Sequence, residues 1–548
     1  MHHSSERARE RSALLISDSV QCFNFKMWSF SARGRPGRLG GMQGSPTHSD
    51  VVILGAGFSG ICAAIKLLEA GRRNFIILEK STALGGTWRD NVYPGCACDL
   101  PTHLYSFSFA QHPGWTHTYA SQPDILAYLQ RLVTRYGVEQ HIQYNTAVTK
   151  AVWDDSAGFW RLSTDDGRHF VGRVVIAATG ALHVPKMPVI DGLESFAGSV
   201  FHTSRWKHDV DLVGRRVGVI GTGASAIQVI PAIAPVVKSL VVFQRSPPWV
   251  LPRKDRVIPA PYRQALAWLP PLNHIVHIVQ YWRAESIALG FTVKPKLMGR
   301  GQKQSARFLA SVVKDRHVRE KLTPMYTMGC KRLMRSDDFY PVFTRDNVEL
   351  VTEPIVAVRP AGIVTADGRE RPLDVIIAAT GFKPFDISAS IHIEGRDGRV
   401  LAEEWRSGPQ AFQGVAIAGF PNLFLLMGPN TGLGHNSVLF MIEAQVRYIL
   451  QCLHWIDSPR VDGTHRAPSR TASVEVRDDV QRAFNERLQR KFNRSVWKSD
   501  GSVWQLPCRS WYVHESGRHH VIWPSFATSY WWAMRAPKRE DFLVGSGD

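Results

Sequence analysis

Two glycine turns in this sequence have the residue types and spacing that hold a pyrophosphate. The first, Gly55-Ala56-Gly57-Phe58-Ser59-Gly60, follows the apolar run Val51-Val52-Ile53-Leu54 and leads into a helical run from Ile61 to Ala70. In a strand-turn-helix unit of this kind Gly55 permits the tight turn, Gly57 lets backbone approach the pyrophosphate, and Gly60 lets the helix pack closely on the strand, while the helix N-terminus adds partial positive charge. A second apolar run, Phe75-Ile76-Ile77-Leu78, ends in Glu79, nineteen residues beyond Gly60. A carboxylate there is placed to accept hydrogen bonds from an adenosine ribose. The pattern recurs as Val217-Gly218-Val219-Ile220 followed by Gly221-Thr222-Gly223-Ala224-Ser225-Ala226, with Leu240 to Phe243 as the next strand. Gly221, Gly223 and Ser225 are its expected phosphate contacts. Gln244 and Arg245 stand where the acid would be. A guanidinium pairs with a 2'-phosphate that a carboxylate would repel, so the second turn is expected to take NADPH rather than NADH.

Such turns need a frame of buried parallel strands. Val174 to Ala178, closed by Thr179-Gly180, and Val375 to Ala379, closed by Thr380-Gly381, are apolar runs ending in small residues, as suits backbone that passes a nucleotide or crosses between domains. They bracket the second glycine turn. Asn422 to Met427 reads as a last buried strand, before a glycine loop with Pro429, Asn430, Gly432, Gly434 and His435 and a helix from Ser437 to Leu450. At 548 residues the chain is too long for one core. The expected fold is doubly wound α/β with two Rossmann-like dinucleotide-binding domains: residues 50–190 and 375–548 form the first, and residues 191–374 are inserted as the second. Within the insertion, residues 253–321 lack strand alternation and carry Tyr262, Trp268, His274, His277, Tyr281 and Trp282 around short apolar helices, which predicts a helical subdomain. Val476, Val480, Phe484, Leu488 and Phe492 recur every four residues, the apolar face of a further helix. Residues 1–49, rich in Arg, Ser and Gly and without periodicity, read as a disordered extension, with Met42 an alternative start.

The formal net charge is +19 at pH 7, which suits nucleic acid, an anionic membrane or a phosphate-rich cofactor. From Arg253 to Lys321 there are fourteen Lys or Arg against four Asp or Glu. No zinc-finger spacing or RNA-recognition signature accompanies them, so nucleic acid is not an expected partner. The basic, aromatic segment reads either as a solvated face or as a surface for peripheral contact with an anionic membrane. A membrane span is not expected, because the most apolar helical candidate, Trp268 to Phe291, contains Pro270, Pro271, two His, Arg283 and Glu285. Cys22, Cys62, Cys96, Cys98, Cys330, Cys452 and Cys508 form no C-x-x-C pair. Neither a disulfide framework nor a zinc site is expected, and a reducing cytoplasm fits.

Two more motifs carry a resemblance. Phe196, Gly198, His202 and Trp206 match F-x-G-x-x-x-H-x-x-x-W, and Gly85, Gly86, Trp88, Tyr93, Pro94, Gly95 and Asp99 match G-G-x-W-x-x-x-x-Y-P-G-x-x-x-D in full. From residue 50 onward the chain resembles the class B flavoprotein monooxygenases, and within them the type I Baeyer-Villiger monooxygenases. Lys207 is a departure, since the first fingerprint usually closes with Pro or Asp. The related N- and S-oxygenating enzymes usually carry Tyr or Phe at the place of Trp206. Disulfide reductases place a C-x-x-x-x-C pair after G-G-T, where this chain has Trp88 and Tyr93.

The resemblance implies FAD at the first turn and NADPH at the second, with hydride passing between them, O2 captured as a flavin C4a-peroxide, and the peroxide attacking a lipophilic ketone to give an ester or lactone. Peroxide and tetrahedral adduct are both anionic and call for a fixed cation in a water-poor site. By the same resemblance Arg332 is that cation and Asp99 its orienting partner. Lys331 would grip the 2'-phosphate beside Arg245, and Trp511 would wall the nicotinamide and substrate pocket. Gly86 and Trp88 count among the cofactor-binding residues, and His202 reads as a hinge in the domain linker. Two alternatives stand beside this reading: an N- or S-oxygenating monooxygenase, and a non-oxygenating flavoprotein that acts as an NADPH oxidase or redox-binding module.

Overall fold

The computed structural model describes residues 45–385, 387, 390–457, 472–498 and 510–545. The expected extension up to residue 44 lies outside them, as do Cys22 and Cys508. The first sheet sets Ile142–Gln143, Phe75–Leu78, Thr47–Leu54, His169–Ala177 and Leu423–Leu425 side by side, all parallel. Phe159–Thr164 and Val148–Asp154 continue it as an antiparallel ribbon. The first strand starts earlier than the sequence suggests, because Thr47, His48 and Ser49 pair with Phe170, Val171 and Gly172. Its apolar run is unbroken because both faces are covered. Val51 and Ile53 pack with the Phe58–Glu69 and Val438–Asp457 helices, whereas Val52 and Leu54 face Trp160 and Phe420 on the other side.

The second sheet is wholly parallel, in the order Val348–Val351, Ser239–Phe243, Arg216–Ile220, Val375–Ala378, Ser199–His202. The expected return to the first domain at residue 375 does not hold. Val375–Ala378 does not open the returning part of the first domain, since it lies between Val217–Ile220 and Ser199–His202 in the second sheet. The chain rejoins the first sheet at His392–Glu394, parallel to Val148–Asp154, and again at Leu423–Leu425. An apolar run closed by small residues suits either sheet, and only the pairing distinguishes them.

The helical segment consists of Ala260–Trp268, Pro270–Thr292, Met298–Val312 and Arg316–Lys321. Its helices are not all short: Pro270–Thr292 runs 23 residues. Pro270 and Pro271 begin it rather than break it, because the first helical N–H groups have no partner to lose. No helix among the described residues is long and apolar enough to cross a membrane. The periodic run near the C-terminus is also divided, Val476 ending the strand Ser473–Val476 and the helix occupying Asp478–Phe492, with Asp478 and Asp479 suiting its N-terminal dipole. Cys330 is disulfide-bonded, a pairing that the cysteine spacing did not announce.

Gly60 shows what the first turn demands. A Cβ there would sit 1.9 Å from the carbonyl oxygen of Gly55. Gly60→Ala should therefore force helix and strand apart and cost about 1–3 kcal/mol, lowering the urea midpoint and the fraction of FAD retained on purification. Gly299, helical and open around its Cα, is the control: Gly299→Ala should be neutral or stabilise by up to about 1 kcal/mol.

Candidate active site

Both glycine turns open into one cleft of about 2290 Å³. That exceeds the roughly 300–1,000 Å³ of a site for one small molecule, as two dinucleotides and a substrate would require. The lining includes Gly55, Gly57, Glu79, Gly86, Trp88 and Asp99 from the first fold, Gly221, Gly223, Ser225, Arg245, Lys331 and Arg332 from the second, and Trp511 from the C-terminal segment. Gly60 alone of the expected residues lies outside the lining, packed against Gly55.

The turns themselves fit phosphate. The Phe58–Glu69 and Ala226–Ile233 helices both start without a side-chain cap, leaving first-turn N–H groups available at the cleft. Gly57 and Gly86 face one another so closely that a Cβ on Gly86 would lie 3.2 Å from the Gly57 Cα. Gly223 has no such packing reason: a Cβ would meet no protein atom within 4 Å. A Cα without a side chain leaves that part of the cleft wall open to close approach. Glu79 is buried, accepting from Ala56 N at 2.8 Å, Ser81 N at 3.0 Å and Arg89 Nη1 at 3.0 Å. Three of its roughly four acceptor positions are thus filled, leaving room for one ribose hydroxyl.

At the second turn, Arg245 and Lys331 stand near each other on the cleft wall. Lys331 Nζ donates to Ser246 Oγ at 2.7 Å and sits 4.7 Å from the centre of the Tyr326 ring. Burial, then the charge of Arg245, lowers the Lys331 pKa. An anion placed against both cations would relax their repulsion.

Where the folds meet, Arg332 donates from Nε to Asp99 Oδ2 at 2.9 Å and from Nη2 to Asp99 Oδ1 at 2.7 Å. The side chains are 33% and 21% exposed, and both line the cleft. Burial alone would raise the Asp99 carboxyl, but the Arg332 charge and its hydrogen bonds prevail and the net shift is downward. Asp99 in turn raises the Arg332 pKa further, so the guanidinium stays charged. Tyr512, buried beside the pair, has its hydroxyl pushed up to about 12 by burial and remains neutral. Trp511, 4.7 Å from Tyr512 between ring centres, is part exposed at the cleft mouth. Trp88 is buried, its Nε1 donating to Tyr105 Oη at 3.0 Å. His202 ends the strand Ser199–His202 and packs edge-on against Phe382, 5.5 Å away, where the chain leaves Val375–Ala378.

Sequence reasoning missed a buried cluster beneath this wall. Glu285, on the 270–292 helix, accepts from Thr528 N and Thr528 Oγ1 at 2.9 Å and from Asn436 Nδ2 at 3.0 Å, and lies 3.3 Å from His435 Nε2. Asn436 lines the cleft. Burial would raise the Glu285 carboxyl, but the donors from His435, Thr528 and Asn436 bring it down. The available signal was the single acid of a long, mainly apolar helix.

Arg245→Ala should lose about 1.5–3 kcal/mol of contact with the 2'-phosphate, or roughly ten- to a hundredfold in the Michaelis constant for NADPH; an unchanged NADPH to NADH ratio would refute that role. Asp99→Asn should lower stability at neutral pH by about 1–3 kcal/mol, between the values for exposed and fully buried pairs. Because the Asp99 pKa is depressed in the fold, this contribution exists above the ordinary carboxylate pKa and fades as pH falls through the folded value. Urea midpoints of wild type and variant should therefore converge in acid.

Residues 48–265 match the family model described as "Flavin-binding monooxygenase-like". A Baeyer-Villiger monooxygenase of Pseudomonas aeruginosa is 44% identical over 494 residues, covering 90% of each chain. Among solved structures, a closed crystal form of cyclohexanone monooxygenase superposes with a TM-score of 0.80 at 27% identity, over 92% of this chain and all of that one. The OTEMO complex with FAD and NADP gives 0.79 at 28% identity, over 91% of this chain and all of that one. The chain belongs to the Baeyer-Villiger monooxygenases, within the flavin-binding monooxygenases.

Proposed function

We propose that this chain is an FAD-containing, NADPH- and O2-dependent monooxygenase that inserts one oxygen atom beside the carbonyl of a lipophilic ketone, giving an ester or lactone. The observation that carries the reading is the paired hydrogen bonding of Arg332 to Asp99 inside a cleft shared by two phosphate-binding turns. FAD, reduced by NADPH, supplies the activation of dioxygen. Arg332 supplies the fixed positive charge: with Nε and Nη2 on Asp99, three of its five N–H groups remain for an anionic oxygen. Because the guanidinium is already aimed and cannot lose its proton, it stabilises developing negative charge without reorganising.

The remaining residues hold and shield. Arg245 and Lys331 are assigned to the 2'-phosphate, Glu79 to the adenosine ribose of FAD, and the turns Gly55–Gly57 and Gly221–Gly223, with Ser225, to the pyrophosphates. Gly86 and Trp88 are assigned to the flavin. Trp511, backed by the buried and neutral Tyr512, is assigned to the wall of the reacting centre, and Leu439, Ile442 and Met427 give the cleft an apolar surface that suits a lipophilic ketone.

NADPH consumption with a panel of ketones and thioethers, followed by product mass, tests the reaction. Ester or lactone supports it, sulfoxide alone points to the heteroatom-oxygenating reading, and hydrogen peroxide alone to an oxidase. Arg332→Ala should keep FAD and oxidise NADPH, release hydrogen peroxide, and form ester about a hundred- to a thousandfold more slowly. Arg332→Lys should recover part of the rate, since a point charge lacks the two-pronged contact with Asp99. Ester formation by Arg332→Ala at the wild-type rate would remove the proposed role.

A further inference from the structure

We propose that the helical insert docks on an anionic lipid bilayer. The Pro270–Thr292 helix has two apolar faces, and its inner one is occupied. There His277 Nδ1 lies 2.7 Å from the His103 carbonyl oxygen, Tyr281 Oη lies 2.9 Å from Thr528 Oγ1, and Tyr281 and Ala284 pack with Leu104 and Phe440. Glu285 closes the same face through Asn436 and Thr528.

The outer face carries Ile275, Ile278, Val279, Trp282, Leu289 and Val293, each 39–57% exposed. Their spacing of three, four and seven residues puts them in one stripe of a helix with 3.6 residues per turn, about 27 Å long at 1.5 Å per residue. Leu269 and Trp268 extend it beyond the helix start, and Trp268 is 82% exposed. A continuous apolar stripe turned to solvent is uncommon on a monomeric protein and marks a contact surface.

Charge selects the partner. Arg283, Lys294, Lys296, Arg300, Lys303 and Arg307 are all exposed on the same insert. Between Arg256 and Lys314 its only carboxylate is Glu285, which is buried. An apolar stripe with tryptophans and flanking Lys and Arg is the composition of a helix that lies in a membrane interface, its apolar side at the acyl boundary and its cations at anionic head groups. A second copy is disfavoured, because two such faces would bring their cations together with no acids to offset them. The opposite side of this one helix holds Asn436 at the cleft wall, so docking would set the cleft about one helix diameter, some 10–12 Å, from the bilayer surface. That is where a lipophilic substrate partitions, although the docking itself does not depend on the substrate.

The FAD-loaded full chain should co-sediment with vesicles of equimolar phosphatidylcholine and phosphatidylglycerol, and much less with vesicles of phosphatidylcholine alone. At about fivefold per cation, the double variant Lys294→Gln/Lys296→Gln should partition roughly 25-fold more weakly. Ile278→Ser/Trp282→Ser should also lose at least tenfold, and both variants should keep wild-type FAD content and thermal midpoint. Wild-type protein that stays in the supernatant with both vesicle types would overturn the proposal, as would variants that sediment as well as wild type. A concentration-dependent dimer, abolished by Ile278→Ser/Trp282→Ser and seen without vesicle binding, would assign the stripe to a second copy instead.

Discussion

A permanent cation has to face an apolar cleft without being neutralised or drawn away, and the rest of the site depends on how Asp99 meets that demand. At an effective dielectric near 20, unit charges about 4 Å apart attract by roughly 4 kcal/mol, enough to offset the burial that would otherwise raise the Asp99 carboxyl. The paired bonds from Nε and Nη2 also fix the guanidinium plane, leaving the N–H groups of Nη1 and one of Nη2 unused by Asp99. The partners are 233 residues apart, one closing the G-G-x-W-x-x-x-x-Y-P-G-x-x-x-D fingerprint of the first fold and one within the second. Any shift of one fold against the other therefore carries the cation away from the first turn unless this contact holds.

The helical insert answers a second constraint. Asn436 stands at the cleft wall in a loop of little regular structure, and a loop side chain needs a fixed partner to keep its aim. Glu285 provides one at the cost of a buried carboxylate, which is tolerable because Thr528, Asn436 and His435 surround it with hydrogen-bonding groups. Removing a single donor from such a cluster leaves the others compensating a charge that cannot reach water. The insert is thus joined to the cleft wall through polar contacts, which are directional, rather than through apolar packing alone.

Much of the fold was legible because its signals are local. A glycine turn between an apolar strand and a helix is a statement about backbone within a dozen residues, and both turns stand where the sequence put them, on parallel sheets. Strand membership was not local: Val375–Ala378 and His169–Ala177 share the same apolar pattern, and hydrogen-bonded neighbours far away in sequence decide which sheet each joins. Arg332 with Asp99 was legible only by resemblance, as neither residue has a distinctive neighbourhood of its own. Glu285 was read as an interruption in an apolar stretch, which it is; that the interruption faces inward follows from helical phase together with Thr528 and Asn436, and those lie 243 and 151 residues further along the chain.

Cations in this protein also divide by what surrounds them, so a net charge of +19 is not one uniform field. On the insert, exposed Lys and Arg are hydrated and screened over about 8–10 Å at moderate salt, so they add a diffuse attraction to anionic surfaces. Arg245 and Lys331 are different, because the cleft wall holds them near one another and Lys331 is partly desolvated there. Their mutual repulsion is present before any ligand arrives. A 2'-phosphate would relieve it while gaining charge-assisted hydrogen bonds, whereas a 2'-hydroxyl would fill the same space and leave the repulsion unrelieved. Arg245 is exposed and its charge is screened, so this repulsion would add to the contacts that a 2'-phosphate makes and would not replace them.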